Sequence, residues 1–88
     1  MSQKLLAREI GIILGNYDPE QLIVSGCPLD EYEAEGQMIS VFVTNNSKCT
    51  EYQLADYIQI VFLRQFSDFL DMSLCLDIAD EILKIKNI

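Results

Sequence analysis

Apolar residues recur at helical spacing along most of this chain. Leu5, Leu6, Ile10, Ile13 and Leu14 fall on one face of a helix predicted over residues 3–15. Ser2 is placed to cap its start, and Gly15-Asn16 is placed to stop it. The segment Tyr17-Asp18-Pro19-Glu20-Gln21 then reads as a fresh start. Asp18 can cap, Pro19 suits a first helical position, and Gln21 completes a variant of the capping box. The helix it opens is short and ends near Ser25-Gly26.

Pro28 holds the next loop, and Asp30 with Glu33 forms a further start signal. The following helix is predicted to reach about Thr44, burying Met38, Ile39, Phe42 and Val43. Because Val41 to Thr44 are β-formers, a strand is the rival reading there. Asn45-Asn46-Ser47-Lys48 is a polar turn, after which Thr50 and Gln53 spell a standard capping box. The helix they open buries Leu54, Ile58, Val61 and Phe62, and Ser67 to Ser73 interrupts it. Asp71 or Ser73 caps the last helix, where Cys75, Ile78, Ala79, Ile82 and Ile85 share one face. Asp77, Asp80 and Glu81 fall largely on the other. The expected architecture is all-α: one domain over residues 1–88, a small bundle of four main helices plus one short helix.

Composition narrows what such a bundle can do. Half of the 88 residues are hydrophobic, enough for one small core and too many for a disordered acidic tail. Fourteen acids against six bases leave a net charge of −8. That sign repels phosphate backbones and anionic bilayers, so no nucleic acid and no membrane is expected as partner. A basic protein is the complementary one. The chain has no histidine, which removes the commonest general base and the Ser-His and Cys-His nucleophilic pairs. Neither catalysis nor a cofactor is expected. Cys27, Cys49 and Cys75 form neither a disulfide framework nor a zinc motif. The N-terminal run lacks a signal peptide's layout, and no apolar stretch reaches spanning length, so a cytoplasmic protein is expected.

The stretch from Gly26 to Gly36 concentrates the acidity, with Asp30, Glu31, Glu33 and Glu35 around Tyr32. A calcium loop starting at Asp30 would need oxygen ligands two and four positions on and glutamate at its twelfth. Tyr32, Ala34 and Val41 stand there instead. An acyl-carrier signature fails too: Asp71-Met72-Ser73-Leu74 carries one residue too many and lies too near the C-terminus. One cap acid is enough to open a helix, so Glu31, Glu33 and Glu35 exceed what capping requires.

Tyr17-Asp18-Pro19-Glu20-Gln21-Leu22-Ile23, followed by Gly26-Cys27-Pro28-Leu29-Asp30-Glu31-Tyr32-Glu33-Ala34-Glu35, resembles the YugE-like family of small bacterial proteins of unknown function. Cys27 replaces the alanine usual there, and Gly36 stands inside the third helix, where glycine costs roughly 1 kcal/mol against alanine. The resemblance implies an α-helical cytosolic protein and no established activity. Relatives of this pattern also look like immunity proteins, which block toxins delivered between bacteria. The partner this implies is a basic protein toxin, concretely a nuclease. The partner-binding residues are then Asp30, Glu31, Tyr32, Glu33 and Glu35, with Tyr52 and Asp56 on the next helix. The alternative is self-association, a homodimer formed through Ile60, Leu63, Phe66 and Phe69.

Overall fold

The computed structural model of the chain describes residues 2–22, 26 and 31–86. Among the described residues there are four helices: α1 (Gln3–Tyr17), α2 (Glu33–Asn45), α3 (Glu51–Phe66) and α4 (Met72–Lys86). Among the described residues there is no strand, so the all-α expectation holds. The short helix expected after α1 is not seen. Pro19 and Glu20 form a turn there, and residues 23–25 and 27–30 lie outside the described residues.

Local signals explain most boundaries. Ser2 Oγ accepts the Leu5 N–H at 3.2 Å and opens α1. Gly15-Asn16 does not end it. The helix runs two residues further and stops at Asp18, which adopts the left-handed conformation (φ 48°, ψ 57°) and donates its N–H to the Leu14 carbonyl. Asp18 therefore terminates α1 rather than capping a new helix, a role its short polar side chain tolerates better than most. In α2 the N-cap is Tyr32, without a side-chain cap bond, so Glu33 is the first helical residue. The expected cap, Asp30, lies outside the described residues. The β-formers Val41 to Thr44 are helical, held by burial of Val43 and by the Phe42 ring stacked on Tyr57.

Thr50 and Gln53 make the reciprocal capping box as expected, at 3.1 and 2.9 Å. Asp71 caps α4, its carboxylate accepting from the Ser73 hydroxyl at 3.1 Å and from the Ser73 N–H. The core gathers Leu6, Ile10 and Leu14 of α1, Ile39 and Val43 of α2, Leu54, Ile58 and Phe62 of α3, and Cys75, Ile78 and Ile82 of α4. Met38, expected inside, is exposed, and Phe42 is only half-buried. The helices touch in a ring, α1 with α2, α2 with α3, α3 with α4 and α4 with α1.

Gly36 has a packing role that its position in the sequence does not announce. A Cβ there would lie 2.7 Å from the Ala7 carbonyl oxygen and 2.9 Å from the Gly11 nitrogen. The residue thus brings the backbones of α1 and α2 closer than any side chain permits.

Candidate functional site

Tyr32 stands at the centre of the acidic stretch and is fully buried. Its ring packs among Phe62 and Phe66 of α3, with centroids 6.0 and 6.4 Å away. Its hydroxyl donates to Asp18 Oδ1 at 2.8 Å and accepts the Glu20 N–H at 2.9 Å. One phenol therefore ties the end of α1, the turn after it and the start of α2 to the aromatic core. Burial, and then the bond to Asp18, push its pKa up to about 12. Tyr32 as a partner anchor is corrected by this placement, because neither its ring nor its hydroxyl reaches the surface.

Glu35 is also inside, only 4% exposed. Its Oε2 accepts from Gln65 Nε2 at 3.3 Å, while Oε1 is buried without a hydrogen-bond partner. The expectation that Glu35 meets a partner is corrected in the same way: it faces α3.

Glu31 and Glu33 are exposed. Glu33 begins α2, where the helix dipole favours a carboxylate. Tyr52 and Asp56 are exposed as well, both on α3. The structure does not bring these two pairs together. Glu35 at the start of α2 meets Gln65 near the end of α3, and Asp56 lies nine residues earlier on that helix. At roughly 1.5 Å per residue the separation along the axis is about 13 Å, and more for Tyr52. The exposed candidate partner-binding residues therefore fall into two separate patches.

The second patch borders an open groove of about 490 Å³ between α2 and α3. The stacked rings of Phe42 and Tyr57, 4.2 Å apart, are the aromatic part of its wall. Asp56, Gln53, Lys48 and Ile60 line it too. Sequence periodicity does not find it, because only the fold brings Phe42 of α2 against Tyr57 of α3.

Polar residues at the helix ends and connections carry further contacts. Asp18 and Glu20 belong to the Tyr32 node, and Asp68, in the connection between α3 and α4, lies against the Glu20 carboxyl. The Glu81 carboxylate beside the Tyr17 phenol pushes it up to about 12. Asp80 pairs with Lys84 at 2.9 Å on an open surface, worth little in stability. Among the described residues no acid or thiol cluster is arranged to hold a metal ion. The Cys75 thiol is buried, and that burial pushes it up to about 11, away from reactivity at neutral pH. No helix of the described residues is long and apolar enough to cross a membrane.

These features define a small acidic four-helix protein with a buried tyrosine node and exposed carboxylates beside it. The chain belongs to the family described as a domain of unknown function, DUF1871, whose profile matches residues 9–88. No curated protein and no solved structure matches it.

Proposed function

We propose that this chain is a non-catalytic binding module, most concretely an immunity protein that occludes the active site of a basic nuclease toxin in the bacterial cytoplasm. The observation that carries the reading is the exposure of Glu31 and Glu33 on a chain of net charge −8. Their neighbours Tyr32 and Glu35 turn inward, whereas these two carboxylates are exposed and make no hydrogen bond or ion pair among the described residues. Such charges steer a basic partner into encounter. Tyr52, 62% exposed, supplies an aromatic anchor of the kind that dominates interfaces, with Asp56 one turn away. The likeness of the 17–35 segment to proteins resembling immunity proteins supports the same partner class.

The test is association with a basic nuclease toxin domain, taken from the neighbouring gene where that gene encodes one. Reversing Glu31 and Glu33 to lysine is expected to slow binding about tenfold or more at low salt. At 0.5 M salt, where the screening length is roughly 4 Å, the effect should shrink to about twofold or less. An unchanged rate at low salt removes both residues from the interface.

One observation favours a second reading, self-association. Phe69 is 70% exposed, Leu63 44% and Ile60 37%, more apolar surface around α3 than a solitary small bundle needs. Sedimentation of the isolated chain separates the two readings, since a tight homodimer supports the second and a monomer the first.

A further inference from the structure

Glu20 and Asp68 belong to two connections far apart in sequence, the turn after α1 and the link between α3 and α4. The Glu20 backbone is fixed by the bond from its N–H to the Tyr32 hydroxyl. Glu20 is half-buried, and its Oε2 is buried with no hydrogen-bond partner among the described residues. A carboxylate oxygen cannot hold full charge there cheaply, because burial strips its hydration and nothing replaces it. A second acid, Asp68, lies beside it, and no ion pair to either is found among the described residues. Two adjacent carboxyl groups without a cation are stable when one of them keeps its proton and donates it to the other.

We propose that Glu20 and Asp68 form a proton-dependent latch closing this end of the bundle. With a proton on Glu20, the carboxyl pair clasps the turn after α1 to the α3–α4 connection. When that proton passes to bulk water, two like charges face each other and the clasp loosens. The other groups at the node are Asp18, from the end of α1, and the Tyr32 hydroxyl, from the start of α2. Asp18 is itself a carboxylate and the phenol stays protonated, so neither group supplies a positive charge to the pair. Desolvation, then the bond to Asp68 and its charge, raise Glu20 from the ordinary 4.5 to about 7. A chain with no histidine thereby acquires a group that titrates at neutral pH.

The sign follows from linkage. The folded value lies above the unfolded one, so the clasp's stabilisation is complete below about 4.5 and is lost as pH rises through about 7. The test is the urea midpoint of the chain between pH 5.5 and 8.5 at constant salt, beside Glu20→Gln, whose amide donates to Asp68 without titrating. The parent should lose stability across that range, and Glu20→Gln should lose clearly less. A carbon-13 titration of the glutamate carboxyls in the parent chain reads the same group without any substitution. One resonance should move with a midpoint near 7, and in Asp68→Asn that midpoint should fall toward the ordinary value. A flat parent profile, a slope equal in Glu20→Gln, or every glutamate titrating below about pH 5.5 overturns the latch.

Discussion

Replacing Gly36 with alanine should lower the stability of the fold by about 2–3 kcal/mol, enough to drop the melting temperature by roughly 10–20 °C. The added methyl would sit 2.7 Å from the Ala7 carbonyl oxygen, 2.9 Å from the Gly11 nitrogen and 3.1 Å from the Gly11 Cα. All three are backbone atoms, so no rotamer change relieves the clash and the α1–α2 pair has to separate. Separation opens the packing of Ile10, Leu14, Ile39 and Val43, all fully buried. Alanine's better helix propensity returns only about 1 kcal/mol. Gly11→Ala is the control, because its methyl would meet Glu33 Cα and the Tyr32 carbonyl oxygen at an ordinary 3.8 Å. That variant should be neutral or gain up to about 1 kcal/mol. Thermal melts of the two glycine variants check both statements.

Tyr32→Phe should cost about 2 kcal/mol although it removes a single oxygen atom. The hydroxyl serves two partners at once, donating to the Asp18 carboxylate and accepting the Glu20 N–H. Hydrogen bonds to charged groups are worth about 1.5–3 kcal/mol, and a part-buried N–H left without an acceptor adds to the loss. The ring stays against Phe62 and Phe66, so the helical signal should persist while the urea midpoint falls. A midpoint within about 0.5 kcal/mol of the parent would mean that water replaces the hydroxyl at no cost, and that the node is open to solvent.

The parts of the fold legible in the sequence are those set by neighbours a few residues apart. Thr50 with Gln53, Ser2 with Leu5 and Asp71 with Ser73 each bond within one turn, and each fixes a helix start. The apolar faces of α1, α3 and α4 were readable for the same reason, since helical period alone assigns them. The illegible parts depend on contacts across the chain. Asp18 looks like a cap, because nothing local shows that its carboxylate will accept a hydrogen bond from a tyrosine fourteen positions on. Gly36 looks like a weak point in a helix, because its function is visible only once α1 crosses it. Tyr32 and Glu35 sit among exposed acids in a run whose composition reads as surface. Their burial comes from the helical turn, which sends positions 32, 35, 36 and 39 inward and leaves 31 and 33 outside.

That division of one acidic run into an inner and an outer set has a direct test. Urea midpoints of Tyr32→Phe and of the double substitution Glu31→Lys with Glu33→Lys are compared with the parent at one pH below neutrality. The double variant should stay within about 1 kcal/mol of the parent, its loss limited to helix-dipole effects. Tyr32→Phe should fall by about 2 kcal/mol. A double variant that unfolds as readily as Tyr32→Phe, or a Tyr32→Phe that matches the parent, would contradict the division.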